Sequence, residues 1–266
     1  MKPRRLVALS LLLYLFLYLP LTVVIVSSVN ATRFGTNWKG FTLDWYRSAF
    51  SNPQVIDALQ NTIVLGLISA AIATTLGTLL GYGLARHPFF AKRLVSRAML
   101  FPIAVPDIVM AVALLSFYAF FRSWTGFGNL GLGTMILAHV TFQIPFVAMI
   151  VRARLRGTDP ALEEAAADLG ATRTQRLWHV TLPMLRPGII AGALLAFTLS
   201  LDDFVVSFFT SGAGSTTVPI YIYSSVKRGV TGEVHALSTI LILAAVLGTI
   251  AVGLLNQRQN QERNNP

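Results

Sequence analysis

The amino-acid sequence predicts an all-α integral membrane protein with six transmembrane helices. Of its 266 residues, 54% are hydrophobic and only 12% are charged, a composition too apolar for a soluble domain. Several apolar runs are long enough to cross a bilayer as a helix, which requires about 20 residues. We therefore interpret residues 1–266 as a single transmembrane domain.

The first predicted span covers residues 6–29. Lys2, Arg4 and Arg5 precede it, but the apolar run is too long for the core of a signal peptide, so we expect an uncleaved span. Residues 30–57 are polar with scattered aromatic side chains, and Trp and Tyr favour the membrane–water interface. This segment either contains a short interfacial helix or is a plain loop.

Five further spans follow the first. They are predicted at about residues 59–85, 98–121, 130–151, 189–210 and 236–255. The third contains Pro102, Pro106 and Asp107, which a membrane helix tolerates only if it is broken against protein or water. The fourth contains His139 and Gln143 one turn apart, and a hydrogen bond between helices is favoured over a ligand role for this pair.

Residues 157–188 form the one long segment of the chain that cannot lie in lipid. Helix-capping signals predict two short helices here, separated by a left-handed turn. The signals are Asp159 and Pro160 at the first start, Gly170 at its end, Thr172 and Gln175 as a capping box, and Pro183 and Pro187 as stops. The result is a compact helical knob between two spans, an arrangement that indicates docking.

This segment also carries a spaced motif. Glu164-Ala165-Ala166 is followed after three residues by Gly170 and, nine residues later, by Val180-x-Leu182-Pro183. The spacing resembles the EAA loop of the binding-protein-dependent ABC importer permeases, and the alternative is an ordinary solvated hairpin. The resemblance implies a coupling helix that inserts into a cytoplasmic ATPase. The coupling residues would then be Glu163, Glu164, Ala165, Ala166, Gly170, Leu182 and Pro183.

The resemblance to these permeases extends over nearly the whole chain. Three segments look like the PotC-type permeases for spermidine and putrescine: FPIAVPDIVMAVALL, SLDDFVVSFFTSG and VKRGVTGEVHALSTI. Permeases for thiamine, ferric iron and opines share much of this pattern. The resemblance implies a type I importer subunit of MetI-like fold in the bacterial inner membrane. Its partners would be a second, PotB-like permease, an ATPase dimer that binds ATP and Mg²⁺, and an extracytoplasmic solute-binding protein.

Three aspartates lie inside predicted spans: Asp107 in the third, and Asp202 and Asp203 in the fifth. An ionised Asp at a helix centre costs about 2.5–3.5 kcal/mol on insertion scales, so it must face protein, water or a cation. Asp203 falls on a helix face with several hydroxyl side chains, which makes it the first candidate for the solute path, ahead of Asp202 and Asp107.

Tyr118 lies three helical turns from Asp107 on the same side of the third span. Carboxylates and aromatic faces together suit an amine cation, which adds Tyr118 to the predicted path. A structural interpretation remains open, in which Asp107 only caps a half-helix after Pro106 and one of the paired aspartates bonds neighbouring backbone.

The basic residues predict the orientation of the chain. With six spans and the N-terminus inside, only six of the 21 Lys and Arg residues lie outside, and the other fifteen lie inside. The outer six are Arg33, Lys39, Arg47, Arg122, Lys227 and Arg228. Both termini and residues 157–188 are therefore predicted to be cytoplasmic. Since most of the net charge of +10 flanks the spans, it does not indicate nucleic-acid binding.

Other functional classes receive little support from the sequence. None of the four lysines follows a glycine-rich phosphate-binding loop, so we expect a non-catalytic subunit without a cofactor of its own. The chain has no cysteine, which excludes a thiol metal site. A proton-coupled secondary transporter is an alternative, but no internal repeat of the kind common in that class is visible. A membrane scaffold would not need the aspartates.

Overall fold

The structure, a computed structural model, describes residues 3–34, 37–126 and 129–264, and these residues form helices joined by short irregular segments. Lys2 and the terminal residues 1 and 266 lie outside the described residues. The helices are α1 (Pro3–Ser28), α2 (Asp44–Ser51), α3 (Pro53–Arg86), α4 (Lys92–Ala98), α5 (Phe101–Ala104), α6 (Asp107–Thr125), α7 (Leu132–Arg156), α8 (Ala161–Asp168), α9 (Arg173–Arg176), α10 (Leu182–Asp202), α11 (Val205–Thr210), α12 (Val218–Arg228) and α13 (Gly232–Asn264), with a π-helical turn over Leu177–Thr181.

Within the described residues, five helices are long and apolar enough to cross a membrane. They are Leu9–Ser28, Pro53–Arg86, Asp107–Thr125, Leu132–Arg156 and Arg173–Asp202. They overlap the first five predicted spans. α13 covers the sixth predicted span, but its apolar part, Gly232–Gly248, is shorter than the other five. The sixth span therefore remains a prediction.

Two of the predicted spans are broken. The third is divided into α5 and α6 by an extended residue, Val105, and Pro106, as the prolines in that stretch led us to expect. The fifth ends as a regular helix at Asp202, and Asp203 has an extended backbone with φ −67° and ψ 121°. The prediction that Asp203 lies on one continuous helix face with later hydroxyl side chains is therefore wrong.

The chain forms two compact units, and the larger one comprises Asp57–Ile220. Within it, α7 is the central helix, because α5, α6, α10 and α11 all pack against it. The apolar window of α7 is 56% buried. α3 also approaches α7 closely: a Cβ added at Gly81 would lie 2.6 Å from the carbonyl oxygen of Ala148. Only glycine permits this separation of the two backbones.

The second unit comprises Met1–Ile56 and Tyr221–Pro266, and in it α1 and α2 both contact α13. Of the two alternatives for residues 30–57, a short helix or a plain loop, α2 shows that the short helix is present. Glu233 joins α2 to α12 and α13 by accepting hydrogen bonds from Ser48 (3.0 Å), Asn52 (2.6 Å) and Tyr221 (3.1 Å). Burial and the adjacent Glu233 carboxylate raise the pKa of Tyr221, so its phenol stays protonated and donates.

Candidate functional site

The predicted helical knob between the fourth and fifth spans is present, and its first helix has the predicted ends. The Ala161 N–H donates a 2.9 Å hydrogen bond to the Asp159 carboxylate at the start of α8. Gly170 follows the end of α8 with φ +81°, in the left-handed region that glycine enters without steric cost. These local contacts confirm the predicted start and end of the helix.

The second helix of the knob starts as predicted but does not stop. Thr172 and Gln175 form the predicted capping box. The prediction that Pro183 and Pro187 end this helix is wrong, because the chain continues through the π-helical turn Leu177–Thr181 into α10. Pro183 lies in the first turn of α10, where its missing N–H removes no bond within α10. The knob and the fifth span thus share one continuous helix.

Glu163 faces into the protein. Its Oε1 accepts hydrogen bonds from the Arg86 guanidinium (3.1 Å) and from the Thr181 hydroxyl (3.1 Å). The Arg86 and Glu163 side chains are only 23% and 20% exposed. This carboxylate therefore links the knob to the end of α3 and to the continuous helix.

The other coupling residues predicted from the motif lie in different surroundings. Glu164, Ala165, Gly170 and Pro183 are exposed, whereas Ala166 and Leu182 are partly buried. The exposed side of the knob also carries Leu169, a residue that is 89% exposed.

The three aspartates predicted in the spans meet at a second place in the same unit. Asp107, Asp202 and Asp203 line one cavity of about 330 Å³. Aromatic side chains, including Phe142 and Phe146, complete much of its wall. The breaks in the third and fifth spans position these carboxylates, because Asp107 begins α6 and Asp202 ends α10.

Tyr118 is not brought to this cavity. It lies about 16 Å along α6 from Asp107, given eleven residues of helical rise. Its buried hydroxyl donates a 3.1 Å hydrogen bond to the carbonyl oxygen of Thr134, and the residue lines a different cavity together with Arg122. The geometry thus groups the three aspartates and leaves Tyr118 apart from them.

A buried histidine connects the aspartate cavity to the centre of the unit. His139 is fully buried, with Nδ1 2.8 Å from the Ser200 hydroxyl, and Nε2 3.0 Å from the Ser207 hydroxyl and 3.3 Å from the Asp203 carboxylate. Gln143 donates to a backbone carbonyl of α10 at 3.0 Å. These bonds confirm the predicted hydrogen bonding between helices. The pairing of His139 with Asp203 was not predicted, since no local signal relates residues so far apart.

Comparison with known proteins identifies the family. Residues 73–262 match the family described as the binding-protein-dependent transport system inner membrane component. The chain is 40% identical over 243 residues to the spermidine/putrescine transport system permease protein PotC of Escherichia coli (strain K12), covering 91% of this chain and 90% of that protein. The chain belongs to this permease family. The permease is also 37% identical to the putrescine transport system permease protein PotI of the same strain, covering 98% of this chain and 93% of PotI.

Solved structures agree on the fold. The permease superposes with a TM-score of 0.76 on a chain of a bacterial ABC transporter involved in the import of the acidic polysaccharide alginate, covering 96% of this chain and 94% of that one at 18% identity. A chain of the MetNI methionine ABC transporter gives a TM-score of 0.58, with coverage of 80% and 94% at 22% identity. The fold is therefore MetI-like. The predicted family, the role as the permease component of an ABC importer and the multi-pass inner-membrane location are confirmed.

Proposed function

We propose that this permease imports polyamines such as spermidine and putrescine. The relatives named for these solutes, at 40% and 37% identity over more than nine tenths of the chain, support the assignment. The observation that carries it is the cavity in which Asp107, Asp202 and Asp203 lie among aromatic rings. Carboxylates bind ammonium groups through charge-assisted hydrogen bonds, and aromatic faces attract cations, so this wall suits an aliphatic amine.

Coupling to ATP is proposed to run through residues 157–188. In this proposal the exposed side of the knob, with Glu164 and Leu169, docks on an ATPase dimer that binds ATP and Mg²⁺. The permease itself has no phosphate-binding loop and would not hydrolyse ATP. Six spans with both termini in the cytoplasm would place the knob on the side where ATP is available. A second, PotB-like permease would complete the membrane pathway.

Solute capture is proposed to belong to an extracytoplasmic binding protein. In the proposed topology the outer segments carry six basic residues against three acidic ones, Asp44, Asp57 and Glu233, a balance of about +3. This charge does not attract a polycation to the bare permease. If a binding protein delivers the solute to the cavity, the permease itself does not need to attract it.

The test is uptake by proteoliposomes that contain the permease purified with its partners. We expect ATP-dependent uptake of labelled putrescine or spermidine that requires the binding protein and survives a protonophore. Thiamine, ferric iron and an opine serve as alternative solutes. Transport of one of these without any polyamine transport would contradict the proposal. Polyamine uptake driven by a proton gradient without ATP would contradict the coupling scheme.

A further inference from the structure

We infer that His139 and Asp203 form a latch that holds the break in the fifth span, and that the carboxylates left to bind the solute are Asp107 and Asp202. The inference deepens the proposed function and rests on it for the nature of the solute. It makes His139 and Asp203 positioning residues, and it separates the roles of two adjacent aspartates.

The first step is the bonding of Asp203 at the break. Its Oδ1 accepts the N–H of Val206 at 3.2 Å, and its Oδ2 accepts the N–H of Ser207 at 2.7 Å. Both N–H groups belong to the first turn of α11, where helical N–H groups have no partner within the helix. Asp203 therefore caps α11, and its own extended backbone separates α11 from α10.

The second step is the contact of His139 with both sides of the break. From α7, its ring bonds Ser200 on α10 through Nδ1 and Ser207 on α11 through Nε2. Nε2 also lies 3.3 Å from Oδ2 of Asp203. Because a carboxylate can only accept, this contact favours the form of His139 in which Nε2 carries a proton. One rigid ring thus holds the end of α10, the cap residue and the start of α11 together.

The third step is the contrast with the other two carboxylates. The Asp203 side chain is 10% exposed and already faces donors from two residues of α11 and from His139. Asp107 and Asp202 are exposed and line the cavity. In the part of the chain that the structure describes, neither forms an ion pair with Lys, Arg or His. A cationic solute therefore meets two uncompensated carboxylates, which matches the two ammonium groups of a diamine.

The experiment compares single variants in the assembled transporter by uptake kinetics and by the thermal unfolding midpoint. We expect Asp202→Asn and Asp107→Asn to raise the half-saturation concentration for putrescine about tenfold with an unchanged midpoint, because each removes one charge-assisted bond to the solute. We expect Asp203→Asn and His139→Ala to lower the midpoint and the maximal rate while half-saturation stays near the wild-type value.

Two further variants separate a latch from general damage to the protein. The double variant His139→Ala with Asp203→Asn should lose less stability than the sum of the two single losses, since both single variants remove the contact between His139 and Asp203. His139→Gln keeps an N–H donor and should recover part of the midpoint lost in His139→Ala. Thr141→Ala is the matched control, because this exposed hydroxyl of α7 bonds only its own helix.

The inference is overturned if Asp203→Asn raises half-saturation as much as Asp202→Asn does at an unchanged midpoint. It is equally overturned if the stability losses of His139→Ala and Asp203→Asn add in full. Absence of polyamine uptake by the wild-type transporter would refute the proposed function instead. In that case the additivity of the midpoints still decides whether the latch exists.

Discussion

Glu163 and Glu164 are adjacent in the motif, yet they have different environments. Glu163 is held by Arg86 and Thr181 inside the protein, whereas Glu164 is exposed on the knob. Because a helix turns by about 100° per residue, neighbours in a motif point in different directions. We therefore propose that, of the two, Glu164 is the one available to a docking partner, and that Glu163 would transmit displacement of the knob to α3.

This division predicts different outcomes for two conservative substitutions. Glu164→Gln should weaken binding of the ATPase without changing the unfolding midpoint of the permease. Glu163→Gln should lower the free energy of unfolding by about 1–2 kcal/mol, since it removes a charged acceptor from two donors. Co-purification of the ATPase and thermal unfolding measure the two effects. Adding Arg86→Gln to Glu163→Gln should lower the free energy of unfolding only slightly further. If the losses of the two single variants instead added in full, that result would count against the link between Arg86 and Glu163.

Residues that act on their immediate neighbours were predictable from the sequence. Asp159, Gly170 and the Thr172–Gln175 pair act within three residues of themselves, and the structure has each as predicted. The roles of His139 and Asp203 depend on a contact across 64 positions, from residue 139 to residue 203. The sequence showed that both residues are too polar to face lipid, and the alternative that one of the paired aspartates bonds neighbouring backbone is confirmed for Asp203. It did not relate Asp203 to His139.

At the scale of elements, the sequence located five of the six predicted spans but misjudged where the second knob helix and the fifth span end. Prolines broke the third span as expected, but Pro183 and Pro187 did not end the helix that leads into the fifth. The π-helical turn before Pro183 shifts the backbone register, so the chain enters α10 without a separate start. In the proposed coupling scheme, this continuous helix would carry displacement of the knob to Asp202 at the aspartate cavity.

The turn at Gly170 separates α8 from this continuous helix and should be needed for coupling rather than for folding. Its φ of +81° costs a residue with a Cβ about 1–2 kcal/mol, and a β-branched residue more. We expect Gly170→Val to abolish uptake and transport-stimulated ATP hydrolysis at roughly normal membrane levels. Gly157→Ala is the matched control, since Gly157 has φ −85° and room for a Cβ. Normal uptake by Gly170→Val with the ATPase bound would disprove the docking role of the knob.

At the scale of the whole molecule, the distribution of charge remains the main argument for orientation. Composition and apolar runs were enough to predict a helical membrane protein, and the fold of the importer permeases agrees with that prediction. The helices themselves are compatible with either orientation, because length and hydropathy do not distinguish the two sides of a bilayer. The asymmetry of fifteen inner and six outer basic residues does distinguish them.

The asymmetry of basic residues predicts which side of the membrane each segment faces. Single introduced cysteines can test this prediction, because the chain has no cysteine of its own. Arg173 lies on the exposed start of α9, and Lys39 is exposed in the segment before α2. In intact cells, a membrane-impermeant thiol reagent should label Lys39→Cys and leave Arg173→Cys unmodified, while both should react after the membrane is opened. An inverted chain would place fifteen basic residues outside and move the knob away from ATP. Labelling of Arg173→Cys from outside would therefore refute both the topology and the coupling scheme, because a knob on the outer side could not contact a cytoplasmic ATPase.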